Sequence, residues 1–191
     1  MRKKDVFLLG VLAYFLCVTA SLQAAGHTPA KGEPFPQVTL QKPEGAAELA
    51  YLGLKGTGSF QLSEIKAGLL IIEIYSMYCP YCQKEAPIVN RLYELIAKEK
   101  DLKEKVKLIG IGAGNTPFEI EIFKKQYDIG FPLFPDESFA IHKITGEVRT
   151  PFFFVLKMNP DGSNTLVYSK VGSIQDAGQF LETILKECGL Q

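Results

Sequence analysis

Eight residues constrain this chain more than any others: Gly68-Leu69-Leu70-Ile71-Ile72-Glu73-Ile74-Tyr75. The run is apolar, rich in β-branched side chains and free of polar alternation. Such a run reads as a strand covered on both faces, which a layered α/β arrangement supplies. Ser76-Met77-Tyr78-Cys79-Pro80-Tyr81-Cys82 follows at once. From Pro80 to Lys98 the apolar residues Ala86, Val89, Leu92, Tyr93 and Ile96 recur at helical spacing. A closely spaced cysteine pair therefore falls where a buried strand becomes a helix.

The same reading extends along the chain. Val106–Ile111 is a second buried strand and Phe118–Tyr127 a second helix, with short elements at Pro132–Phe134 and Ser138–Lys143. Phe152–Leu156 is a third core strand. Asn159-Pro160-Asp161-Gly162 signals a turn into a hairpin strand, Thr165–Ser169. Asp176–Cys188 is a closing helix with Cys188 on its apolar face. Upstream, Gln37–Gln41 and Ala50–Leu54 are expected to pair as a hairpin through Pro43-Glu44-Gly45. Ser63–Lys66 is expected to form one helical turn capped by Ser63. The order β-α-β-α followed by β-β-α predicts an α/β fold with a central mixed sheet flanked by helices and an N-terminal β-hairpin extension.

Residues 1–25 stand apart. Arg2, Lys3 and Lys4 precede an apolar run from Val6 to Val18, which gives way to the small residues around Ala24 and Ala25. This is the pattern of a secretory signal peptide, cut near Ala24 or Ala25 or retained as a membrane anchor. The bulky Tyr14-Phe15-Leu16 before Cys17 argues against lipoprotein processing. Residues 26–34, rich in proline and glycine, read as a flexible linker to a domain spanning 35–191. Without residues 1–25, the 21 basic and 21 acidic groups become 18 and 20. A charge so close to balance argues against a nucleic-acid partner. Export places the chain in a periplasmic or otherwise extracytoplasmic compartment, where disulfides persist.

Cys79 and Cys82 carry the chemistry. At a helix start, unpaired N–H groups and the helix dipole favour a thiolate on Cys79, making it the nucleophile. Cys82, three residues on, can attack a mixed disulfide at Cys79 and release the substrate. Pro80 fits the first helical turn, where a missing N–H costs nothing. A structural staple closing so small a loop adds little stability. A zinc site needs further ligands, and only His27, His142 and Cys188 are at hand, without pattern.

With these residues the chain resembles the thioredoxin superfamily. Glu73, six residues before the first cysteine, matches its buried acid. Pro87, five after the second, matches its helix proline. Thr150-Pro151 matches its cis-proline segment. The N-terminal extension, Phe131-Pro132 and Glu85 are similar to the TlpA/ResA branch of extracytoplasmic thiol–disulfide oxidoreductases. The resemblance implies a thioredoxin-like fold and a redox-active Cys79–Cys82 disulfide in place of any other cofactor or metal. It implies that Glu73 is general base toward Cys82 and that Glu85 tunes the same thiols. Substrate contacts are implied at Thr150 and Pro151 and at the intervening Pro80 and Tyr81, while Arg149 is expected to be ordinary surface. The implied partners are protein thiols or disulfides and a membrane electron donor, the chain acting as a monomeric reductase of the cytochrome c maturation type. Pro80-Tyr81 departs from the thioredoxin Gly-Pro and is the glutaredoxin pair, and Tyr78 stands where a tryptophan is usual.

Two other classes compete. Ser76-x-x-Cys79 with Arg149 echoes a thiol peroxidase, although Glu73-Ile74-Tyr75 lacks the proline that pattern needs. A copper chaperone or binding module would use Met77 beside the cysteines, but no histidine is patterned in the later strands.

Overall fold

A computed structural model describes residues 26–190. The signal or anchor expected at residues 1–25, Cys17 included, lies outside the described residues. Five strands form one sheet in the order β5-β4-β3-β6-β7. These are β3 (Leu69–Tyr75), β4 (Val106–Ala113), β5 (Leu133–Asp136), β6 (Phe152–Met158) and β7 (Asn164–Val171). The pairs β3–β4 and β4–β5 are parallel, whereas β3–β6 and β6–β7 are antiparallel. The sheet is therefore mixed, with β3 at its centre, and every residue of β3 is buried.

Strand alternation splits the core into two layers. Leu69, Ile71, Phe153 and Val155 face α2 (Pro80–Lys98) and α6 (Ala177–Glu187), meeting Val89, Leu92, Ile96, Phe180 and Ile184. Ile120 and Phe123 of α4 (Pro117–Gln126) join the same layer. Leu70, Ile72, Ile74, Phe154 and Leu156 face the other way. They are covered by Ile141 of the short α5 (Ala140–Ile144) and by the N-terminal segment, through Phe35, Val38, Leu40, Leu52 and Phe60.

The hairpin exists with a different second strand. β1 (Thr39–Gln41) pairs antiparallel with β2 (Ser59–Gln61), not with Ala50–Leu54. The latter segment lies mostly within α1 (Ala46–Leu52). The alanine-rich sequence favours helix, and Gly53 closes it with a left-handed φ of 71°. The turn after β2 is a 3-10 helix at Leu62–Glu64, one residue earlier than expected. Its start is held by Glu64, whose Oε1 accepts the Gln61 N–H at 2.8 Å, and not by Ser63. An extra helix, α3 (Lys100–Lys105), leads into β4.

Residues 26–34 have no helix or strand, as the prolines dictate, yet they are tied down. Gly32 N–H donates to the Leu166 carbonyl and Leu166 N–H to the Glu33 carbonyl, both at 2.8 Å. Pro29 is buried. Proline removes the ladder donors but leaves neighbouring carbonyls and N–H groups free to dock on β7. Among the described residues, no helix is long and apolar enough to cross a membrane.

Candidate active site

Cys79 is the cap residue of α2, with Pro80 in the first turn. The end of β3 and the start of α2 thus set the sulfur at the C-terminal edge of the sheet. Cys79 is partly exposed, whereas Cys82 is only 1% exposed, and both are free thiols. The Cys79 sulfur lies 3.4 Å from the Thr150 carbonyl oxygen. The Thr150–Pro151 peptide is cis. Partial burial pushes the Cys79 thiol up, but hydrogen bonds from the Thr150 side chain, the Cys82 N–H and thiol and the Tyr81 N–H outweigh it, and the net shift is downward. Burial pushes the Cys82 thiol far up, and the nearby Glu73 and Cys79 add to that. One sulfur is therefore partly exposed with its thiol shifted toward ionisation, the other hidden with its thiol shifted away from it.

Glu73 points from β3 toward α2 and is 5% exposed. Burial raises its carboxyl to about 8, with Glu85 and Cys79 contributing in the same direction. A carboxyl poised there can take or return a proton near neutral pH. Glu85, three residues beyond Cys82, is 1% exposed. It accepts a hydrogen bond from the Ile174 N–H in the loop between β7 and α6. Burial raises its carboxyl, partly offset by the Ile174 N–H and the Ser173 side chain. Cys79, Cys82, Glu73, Glu85, Thr150 and Pro151 thus cluster around the start of α2. Pro80 and Tyr81 form the exposed rim, Tyr81 being 67% exposed. Arg149 is exposed. Cys188, the residue that caps the C-terminus of α6, is half-buried against the helix-side core. Among the described residues no group of three or more His, Cys, Asp or Glu side chains is placed to hold a metal ion.

Residues 32–175 match the AhpC/TSA family. The chain belongs to the AhpC/TSA family. Within that family it is similar to the thiol-disulfide oxidoreductase ResA of Bacillus thuringiensis subsp. konkukian (strain 97-27), at 26% identity over 156 residues. That match covers 82% of this chain and 84% of ResA. The fold is shared with StoA from Bacillus subtilis at a TM-score of 0.56 and 20% identity, over 79% of this chain and 97% of StoA. It is shared also with a thioredoxin-family thiol:disulfide interchange protein from Chlorobium tepidum TLS. There the TM-score is 0.55 and the identity 16%, over 84% of this chain and 99% of that one. This AhpC/TSA member has the thioredoxin-like fold and is a thiol–disulfide oxidoreductase of the ResA type.

Sequence reasoning missed two side chains that reach the same loop. Asn115, fully buried, accepts the Met77 N–H at Oδ1 over 2.9 Å, and the Gln83 side-chain amide donates to the Met77 carbonyl over 2.8 Å. A signal existed for Asn115. It follows Gly112-Ala113-Gly114 at the C-terminal end of the strand beside β3, where loops of an α/β sheet gather around a site.

Proposed function

We propose that this protein reduces disulfides in exported protein substrates through the Cys79–Cys82 pair, outside the cytoplasm, in the manner of a cytochrome c maturation reductase. The observation that carries the reading is the asymmetry of the two thiols: Cys79 partly exposed with its thiol lowered, Cys82 buried with its thiol raised. The Cys79 thiolate attacks a substrate disulfide, forming a mixed disulfide and expelling one substrate thiolate, which takes a proton from solvent. Cys82 then loses its proton to Glu73 and attacks the Cys79 sulfur. The second substrate thiol departs with that proton, and the enzyme is left as the Cys79–Cys82 disulfide. Two electrons have passed from the enzyme to the substrate. A thiol-bearing membrane donor resets the pair.

Substrate backbone pairs with the exposed edge at Thr150 and Pro151, beside Pro80 and Tyr81. Glu85 adjusts the pair through Glu73. No cofactor beyond the disulfide takes part, and the chain acts as a monomer. The export reading rests on the basic and apolar residues 1–25 and on the similarity to ResA.

Insulin reduction tests the core of this. Wild type is expected to turn insulin over with dithiothreitol as donor, and Cys79→Ser to fall to background. Equal rates would sink the exchange mechanism. Peroxide consumption that survives Cys82→Ser would replace it with a peroxidase.

A further inference from the structure

β3 ends at Tyr75, and four residues carry the chain to α2. The Cys79 N–H donates to the Ser76 carbonyl at 3.0 Å, so Ser76-Met77-Tyr78-Cys79 is a hydrogen-bonded β-turn. Its own hydrogen bond uses neither the Met77 N–H nor the Met77 carbonyl. The peptide between Met77 and Tyr78 is the group whose orientation separates turn types I and II. A flip of that peptide leaves the ends of the turn nearly in place, so the position of the cysteine that follows depends on how the whole turn is seated on its neighbours.

Both groups are held from outside the turn. Asn115 Oδ1 accepts the Met77 N–H, and Gln83 Nε2 donates to the Met77 carbonyl. The two clamps come from different elements, the β4–α4 connection and the first turn of α2. The chain around Asn115 is shaped to seat it. Its N–H donates to the Gly112 carbonyl at 3.0 Å, and a Cβ at Gly112 would lie 2.9 Å from Asn115 Oδ1. Gly114 adopts a left-handed φ of 68° to turn the chain there. Asn115 is 0% exposed, and its Nδ2 has no hydrogen-bond partner among the described residues. Burying a carboxamide with one end unsatisfied is destabilising. The Met77 contact at the other end is a reason to keep it.

We infer that Asn115 and Gln83 are positioning residues that lock the Ser76–Cys79 turn and so hold the Cys79 sulfur at the start of α2. The groups that favour its thiolate, from Thr150, Tyr81 and Cys82, act only over hydrogen-bond distance. A turn that shifts on its seat changes the distance from the sulfur to those groups, Thr150 on the neighbouring strand start above all. The inference deepens the exchange reading and rests on it for its functional meaning.

The test is the pH dependence of Cys79 alkylation by iodoacetamide in the reduced full chain, with the modified residue identified by mass spectrometry. Asn115→Ala and Gln83→Met are each expected to raise the Cys79 midpoint by about half a unit or more, slowing alkylation roughly threefold below it. Unchanged midpoints in both overturn the inference, whatever happens to thermal stability. Gln83 is only partly buried, so Gln83→Met decides the matter if Asn115→Ala does not fold. Alkylation needs no protein substrate. Failure of wild type to reduce insulin therefore counts against the exchange reading, whereas failure of the midpoint to move counts against the clamp.

Discussion

The two faces of β3 carry the same burial and opposite chemistry. Toward the N-terminal hairpin it presents Leu70, Ile72 and Ile74; toward α2 it presents Leu69, Ile71, Glu73 and Tyr75. The hairpin side of this strand is pure packing. The helix side gives up packing to hold a carboxyl at 5% exposure, with a second at Glu85 and the hidden thiol of Cys82. Unpaired buried acids weaken a fold, because desolvation disfavours their charged forms. The fold therefore concentrates its electrostatic cost where redox chemistry needs protons moved, and draws its stability from the opposite face.

The largest expected effect tests that division from the hairpin side. Phe60, 1% exposed on β2, meets Phe134 with ring centroids 5.7 Å apart. Phe60→Ala is expected to cost about 3–5 kcal/mol in chemical denaturation. The pH midpoint of Cys79 alkylation in the folded protein should stay where it is. A moved midpoint would mean that the two faces are not separable.

Glu73→Gln tests the helix side, and its sign follows from linkage. The folded carboxyl is raised to about 8 from an ordinary 4.5. Below 4.5 both folded and unfolded states hold the proton. As pH rises toward 8 the unfolded state loses it first, so the wild type loses stability by up to about 1.4 kcal/mol per pH unit in that window. The stability of Glu73→Gln relative to wild type should therefore climb between pH 5 and 8. Comparing slopes cancels any fixed cost of the new amide. The same variant should slow insulin reduction and flatten the rise in its rate near pH 8. Parallel stability curves, or an unchanged rate profile, would remove Glu73 from the proton path.

How far the sequence disclosed these faces depends on how local the signal is. β3, α2, β4 and β6 were legible because buried runs and helical spacing are properties of the segment itself. The second hairpin strand was not: Ala50–Leu54 is a short apolar stretch that can be read as a strand, but alanine propensity and the Gly53 stop make it mostly helix. The cysteine pair and Glu73 were legible from position. The contacts of Asn115 and Gln83 were not: Asn115 stands at a strand end where sites gather, but its bond to Met77 crosses 38 residues that only the folded sheet brings together, and Gln83 reaches Met77 only because the helix start turns back on its own loop. Glu85 lies between these cases. It stands four, seven and eleven residues before Val89, Leu92 and Ile96, on the buried stripe of α2, so its burial follows from spacing alone. What spacing does not reveal is the Ile174 N–H, from a loop 89 residues away in sequence, that satisfies it.

Glu85→Gln carries the smallest expected effect and the sharpest test within the helix face. Glutamine keeps an oxygen to accept the Ile174 N–H, so the tie between α2 and the β7–α6 loop should survive and thermal stability should move little. What the variant loses is a charge. Glu85 is the second cause, after burial, of the raised Glu73 carboxyl. Without it Glu73 should ionise at lower pH, and the midpoint of the insulin-reduction profile should move acid-ward by a fraction of a unit. Adding Glu85→Gln to Glu73→Gln should then leave the already flattened profile unchanged, since a group acting through Glu73 has nothing left to act on. A basic shift, or an effect that persists in the double variant, would mean that Glu85 reaches the thiols by a route of its own and that the two buried acids do not work as a pair.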